Sequence, residues 1–169
     1  TTRAVAPGRA KPVGGLICFM KTYGRRVDNM LLMAPAAIKF ALGENPKTTY
    51  HGKNLAPLTR MATAAIIRET LAKAKRYSDD LMRAETDDDF DEPEYDIRCE
   101  SLLELMQGKI PAHFHAHRAD DIFTAIRIAN EFGLDYVIIH ATDGHLISPE
   151  LAELHAKVVV GPNICERSK

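Results

Sequence analysis

A histidine-rich run, Ile110 to Ile122, constrains the fold more than any other stretch of this chain. It reads IPAHFHAHRADDI, and its alternation has the period of two expected of a β-strand, which places His113, His115 and His117 on one side. After it, apolar residues recur at helical spacing. These residues are Ile122, Ala125, Ile126, Ala129 and Phe132. The run therefore predicts a strand followed by a helix, and in α/β proteins that junction is where ligands and catalytic groups collect.

The same order of strand and helix repeats further along the chain. Asp135 to Ala141, DYVIIHA, is an apolar run that contains His140 near its end. A second helix is predicted to begin with Ser148 as its N-cap and Pro149 at its first position. Lys157 to Gly161, KVVVG, is a third β-branched run. This spacing predicts consecutive βα units and a parallel sheet.

The N-terminal part has a less regular pattern. The first fifteen residues hold several glycines and prolines and predict a loop, and Leu16 to Tyr23 predicts a strand. Met30 to Met33 and Ile38 to Gly43 are two further apolar runs, separated by Pro35.

Two helices are predicted before the histidine-rich run. From Thr59, as N-cap, apolar residues recur at helical spacing among good helix formers, so we expect a long helix. Residues 85–96 are acidic and contain too few apolar side chains to pack, so they predict a solvated loop. Asp96 to Gln107 predicts another helix, closed by Gly108.

Composition excludes several classes of function. At 169 residues, with 46% hydrophobic and 27% charged residues and a formal charge of -1, the chain has the size and composition of one globular domain. No basic stripe interleaved with aromatic residues indicates nucleic-acid binding. Cys18, Cys99 and Cys165 form no CxxC pair, which favours a reducing cytoplasm over a disulfide framework. No apolar run of about 18 residues predicts a membrane span.

The histidines that end two predicted strands are candidate metal ligands. Neighbouring strands lie about 4.8 Å apart, so His115 and His140 could both reach one divalent ion. Glu44, or Asp120 and Asp121, could complete the ligand set, although carboxylates in the first turn of a helix are also favoured by its dipole.

The remaining polar residues of this region have less specific predictions. His117 and His145 are expected in contact with the ligands or the substrate, and His113 as a structural residue. Arg118 is either a clamp for a substrate carboxylate or a partner of Asp120. His51 is expected to be an ordinary polar residue.

These segments resemble the metal-dependent amidohydrolases, specifically a branch related to imidazolonepropionase and to prolidase-type enzymes. The resemblance rests on HFHAHRADDIFTAIRIANEFGLDYVIIHATDGH and extends over APGRAKPVGG, IKFALGENPK and VVVGPNICERSK. It implies a (β/α)8 TIM-type barrel whose strand ends hold one or two divalent metals that activate water against an amide or related bond. Zinc is the default metal, with iron, nickel and manganese as alternatives.

Site residues follow from the resemblance position by position. His115 matches the metal histidine of strand 5 and His140 that of strand 6. Glu44 matches the metal-bridging carboxylate of an earlier strand, with Lys39, as a carboxylated lysine, as the alternative.

By the same resemblance, His117, Arg118 and His145 would face the substrate, a small-molecule amide or cyclic amide.

The chain departs from the family at both ends. The HxH pair of strand 1 and the aspartate of strand 8 have no counterpart, so residues 1–169 are expected to form about strands 2 to 7 of the barrel. Open sheet edges seldom stay unpaired. We therefore expect association with a second copy or with the rest of a parent chain, and no catalysis by this piece alone. The alternative function is a non-catalytic βα assembly module that binds metal incidentally.

Overall fold

The computed structural model describes residues 1–8, 10–44, 46 and 57–161. His51 and Cys165, and parts of the segments that carry the family resemblance, lie outside these residues. Within them, six strands form one sheet in the order in which they occur along the chain. The strands are β1 (Thr2–Val5), β2 (Val13–Lys21), β3 (Leu31–Ala41), β4 (Ala112–Ala116), β5 (Tyr136–His140) and β6 (Val158–Val160).

The sheet is mixed, which corrects the expectation of parallel strands throughout. Strands β1, β2 and β3 pair antiparallel, whereas β3 to β6 pair parallel. The predicted N-terminal loop is also wrong, because it contains β1 and the start of β2. Gly14 and Gly15 mark a bulge rather than a loop, since the register shifts between Val13 and Gly15. A Cβ on Gly14 would lie only 3.2 Å from the carbonyl oxygen of Lys39 on the neighbouring strand.

The two apolar runs around Pro35 belong to one strand, β3, rather than to two elements. Proline removes a backbone donor and is tolerated where a strand has an open side. Among the described strands, Leu31 and Met33 pair only with β2, whereas pairing with β4 begins at Ile38. Pro35 therefore lies in the part of β3 that has one neighbour among them.

Of the elements that the structure describes, five helices and two 3-10 turns connect the strands. The helices are α1 (Arg60–Ala84), α2 (Ile97–Glu100), α3 (Leu103–Met106), α4 (Ala119–Glu131) and α5 (Ser148–Glu153), and the 3-10 turns are Val27–Asn29 and Thr142–Ile147. The Thr59 hydroxyl accepts a hydrogen bond from Ala62 N, which confirms it as the N-cap of α1. Residues 85–96 form neither helix nor strand. No helix among the described residues is long and apolar enough to span a membrane.

Two helix predictions need correction. The expected helix over residues 96–107 is divided into the single turns α2 and α3. Asp96 caps the first of them, accepting hydrogen bonds from Arg98 N and Cys99 N. Ser148 is the first residue of α5 rather than its N-cap, a position held by Ile147, so that boundary shifts by one residue.

The helices cover one face of the parallel strands. Side chains on that face are fully buried, among them Phe40 and Phe114, whose rings stack at 4.9 Å. Alternation places Ala112 and Ala116 on the same face, so His113 and His115 project from the other one. The core therefore fixes which face of β4 carries the histidines.

Candidate metal centre

His115 lies at the carboxyl end of β4 and is almost completely buried, with 1% of its surface exposed. Its backbone carbonyl accepts a hydrogen bond from Leu42 N, just beyond the end of β3, at 3.0 Å. The neighbouring strand end thus holds the backbone of this residue in place.

His140 reaches His115 through an unusual backbone conformation. The register pairs His140 with Ala116, not with His115, so regular alternation would send its side chain to the helix-covered face. However, His140 has a φ of 80° and Ala141 a φ of 41°. This left-handed conformation breaks the alternation at the last residue of β5, and the His140 ring lies 4.5 Å from that of His115, nearly perpendicular to it. Such strain is characteristic of functional sites.

His117 follows β4 and is exposed, yet its ring joins the other two. It lies 4.7 Å from the ring of His115 and stacks on the ring of His140 at 4.9 Å with an interplanar angle of 7°. The resemblance predicts that His117 contacts the substrate, whereas the geometry also makes it a third candidate ligand.

Hydrogen bonds at Nδ1 orient the rings of His140 and His117. His140 Nδ1 is 2.6 Å from the carbonyl oxygen of Gly161, which can only accept, so Nδ1 carries a proton and the lone pair of the neutral ring is on Nε2. His117 Nδ1 is 2.8 Å from the hydroxyl of Thr142. A metal-binding histidine commonly uses its second nitrogen in this way.

The donor set fits a divalent metal. One ring nitrogen from each of the three histidines lies within 4.8 Å of the other two. In a tetrahedral zinc site with Zn–N bonds of about 2.1 Å, the ligand atoms are about 3.4 Å apart, so modest rotation of the rings would suffice. Three imidazoles with a free fourth position are one of the ligand sets of catalytic zinc. Imidazoles also suit copper, iron and nickel, and the geometry does not distinguish among these ions.

The other predicted ligands lie outside this cluster of three. Among the described residues, Glu44 is not in the group, and its carboxylate accepts a hydrogen bond from Arg60 at 2.8 Å. Lys39 is paired in register with His113, whereas Ala41 is paired with His115. Lys39 therefore lies on the histidine-bearing face, two residues along the strand from the position that pairs with His115.

Arg60 also links the exit of β3 to the first turn of α4. Besides Glu44, it lies 3.4 Å from the carboxylate of Asp121 and 3.9 Å from that of Asp120. Burial raises the pKa of Asp121, against the opposing effect of Arg60. A hydrogen bond from Arg118 lowers the pKa of Asp120, so the pairing of these two residues considered from the sequence is present.

Two further histidines, His145 and His113, have distinct surroundings. His145 Nδ1 is 3.0 Å from the carbonyl oxygen of Thr142, which keeps it in the turn after β5. Burial, together with the nearby charge of Lys39, lowers the pKa of His113. The neutral imidazole is therefore favoured, and the structural role expected for His113 stays a prediction.

Sequence reasoning missed Thr142 and Gly161 as partners of the histidines. Thr142 directly follows one predicted strand and Gly161 is the last residue of another, which is the one available signal. Residues after strand ends lie beside each other at the same sheet edge, so they are in reach of the histidines there.

The parallel strands of this mixed sheet carry imidazoles grouped at their carboxyl edge, the edge at which barrel-type α/β proteins place their active sites. The fold and the site thus define an α/β protein with a candidate metal site. The chain is similar over 100% of its length to the crystal structure of an amidohydrolase from Thermotoga maritima MSB8, with 43% sequence identity and a TM-score of 0.94. It is thus an amidohydrolase homologue and covers 44% of that chain. No protein-family model matches it, and no curated protein matches it either.

The similarity confirms the expected family at the level of the amidohydrolases. The six-stranded sheet is consistent with part of an amidohydrolase barrel, with an antiparallel pair preceding its parallel strands. The roles assigned to individual residues and the narrower branch stay predictions.

Proposed function

We propose that this chain is part of a metal-dependent hydrolase that cleaves carbon–nitrogen bonds in a small amide or cyclic amide, of the type cleaved by imidazolonepropionase-like enzymes. The observation that carries the proposal is the convergence of His115, His117 and His140 at the carboxyl edge of a sheet that resembles an amidohydrolase. A divalent ion at this edge, with zinc as the default, would supply a Lewis acid and lower the pKa of a bound water.

The protein's own residues would hold and shield the reacting groups. His115 is almost completely buried and its ring meets the other two edge-on, so it offers a ligand nitrogen that bulk water reaches poorly. His140 is kept in its ligand tautomer by the Gly161 carbonyl. Arg118 and His145 are exposed at the same edge, where they could contact the polar groups of an incoming amide.

Glu44 and Lys39 remain the two candidates for a further ligand. Glu44 would have to exchange its contact with Arg60 for the ion, whereas Lys39 shares the face of His115 and would act as a carboxylated side chain. We expect one of them to join the histidines in the complete enzyme.

We further propose that the site is completed by a second copy or by the rest of a longer cytoplasmic chain. The chain spans 44% of the amidohydrolase that it resembles. Strand β6 pairs only with β5 among the described strands, and Val159 and Val160 are 54% and 69% exposed. An exposed β-branched edge is typical of a sheet that continues into another segment.

The test of the ligand assignment is the metal content of the purified chain and of matched variants. His140→Asn and His155→Asn both replace an imidazole at a residue with positive φ, at 80° and 48°, where asparagine is tolerated. We expect the wild type and His155→Asn to bind zinc with equal stoichiometry, and His115→Ala and His140→Asn to lose it.

Unchanged zinc content in His115→Ala and His140→Asn would remove the ligand assignment and favour the assembly module. The same samples should show no turnover of N-acyl amino acids or small lactams. Light scattering should give a mass above that of one 18.8 kDa chain. A monomer with a cooperative thermal transition would count against completion of the site by another copy.

A further inference from the structure

The turn after β5 binds the segment after β4 on both sides of His117. Ala141 N donates to the Ala116 carbonyl at 3.0 Å, and Asp143 N donates to the His117 carbonyl at 2.8 Å. The carboxylate of Asp143 also accepts from Ala119 N at 3.3 Å. Residues 116 to 119 are thus held by residues 141 to 143.

The same turn supplies a hydrogen bond to the His117 ring. His117 lies outside β4 and is exposed, and its ring contacts those of His115 and His140. The backbone hydrogen bonds fix the position of the His117 main chain. The Thr142 hydroxyl, 2.8 Å from Nδ1, limits the rotation of the ring about the side-chain bonds. Stacking on His140 is compatible with either ring tautomer.

We propose that Thr142 is a positioning residue that keeps the proton of His117 on Nδ1 and presents Nε2 toward His115 and His140. The hydroxyl can accept this proton, as the Gly161 carbonyl does from His140, so the two stacked rings would have the same tautomer. A serine would keep the interaction, whereas a valine of the same shape would remove it. The orientation of His117 would serve metal binding, and in this respect the inference rests on the proposed function.

The tautomer can be measured without any metal. Long-range nitrogen–proton NMR correlations of the metal-free chain at about pH 8, where histidine is neutral, distinguish a proton on Nδ1 from one on Nε2. We expect His117 of the wild type to carry its proton on Nδ1, Thr142→Ser to retain that pattern, and Thr142→Val to distribute the proton over both nitrogens. Thr86→Val is the matched control, because the Thr86 hydroxyl donates to the carbonyls of Met82 and Arg83, away from the histidines.

The metal readout separates this inference from the proposed function. Competition with a chelator should show zinc binding about ten-fold weaker in Thr142→Val than in the wild type, with Thr142→Ser and Thr86→Val unchanged. If the wild type binds no zinc but the NMR pattern is as expected, the proposed function fails and the positioning by Thr142 stands. A His117 tautomer that is the same in Thr142→Val as in the wild type would overturn the inference, whatever the zinc affinity.

Discussion

Replacing Gly43 with alanine should destabilise the protein more than the same replacement at two other glycines with a left-handed backbone. Gly43 follows β3 and has a φ of +81°. A Cβ at this position would lie 2.8 Å from Oδ2 of Asp121, a residue that is only 4% exposed. The same oxygen lies 3.4 Å from Arg60 Nε. The carboxylate therefore cannot yield to the methyl group without disturbing its ion pair.

The expected cost has two parts. A left-handed conformation costs an alanine about 1–2 kcal/mol relative to glycine. The close contact with Asp121 adds about 1–3 kcal/mol, the usual cost of an extra methyl group in a packed site. Gly108 and Gly133 have φ values of +69° and +64°, and a methyl group at either glycine would have nothing within 4 Å, so alanine there should incur the first cost alone.

Urea denaturation of the three variants separates these contributions. We expect a loss of about 2–5 kcal/mol in the free energy of unfolding for Gly43→Ala, and about 1–2 kcal/mol for each control. Adding Asp121→Ala to Gly43→Ala should recover part of the difference, because it removes the obstructing carboxylate. Equal losses at all three glycines would refute the reasoning.

Two further predictions concern Tyr77 and Phe114. Tyr77 donates a hydrogen bond to Glu100, which raises the pKa of Tyr77 from 10.0 to about 12, so this contribution to stability is complete below pH 10 and is lost as the pH rises through about 12. Denaturation at increasing alkaline pH should show a smaller decline for Tyr77→Phe than for the wild type, and identical declines would contradict the assignment. Phe114→Ala should lower the free energy of unfolding by about 3–5 kcal/mol in urea titrations, because the fully buried ring stacks on Phe40; a loss below about 1 kcal/mol would show that this core is not close-packed.

The sequence was sufficient for β4, β5 and β6 because each of these strands has a clear pattern, whereas β3 appears in the sequence as two separate apolar runs. Alternation in β4 and the apolar runs of β5 and β6 predict their order, and Thr59 marks the start of α1. The N-terminal hairpin was not predictable in the same way. Gly14 and Gly15 occur in a strand because they permit a bulge and a close approach to β3, yet the same residues are typical of loops.

The positions of the candidate ligands could be predicted from the sequence, but the backbone conformation that brings them together could not. Both His115 and His140 end predicted strands, and the structure brings their rings together as expected. The reason for their proximity could not be predicted from the pattern. His140 pairs in register with Ala116, not with His115, and the positive φ of His140 turns its side chain toward His115. Sequence patterns locate residues along a strand, but they do not reveal which residue leaves the regular conformation at its end.

The backbone of each neighbouring segment, rather than the helices, determines the geometry of the site. Leu42 after β3 binds the His115 carbonyl, Asp143 after β5 binds that of His117, and Gly161 after β6 accepts from the ring of His140. Each histidine is thus held by the segment that follows an adjacent strand. It follows that replacements on the helix-covered face should lower stability before they alter metal affinity, whereas changes in these short segments should alter the site while the sheet remains folded.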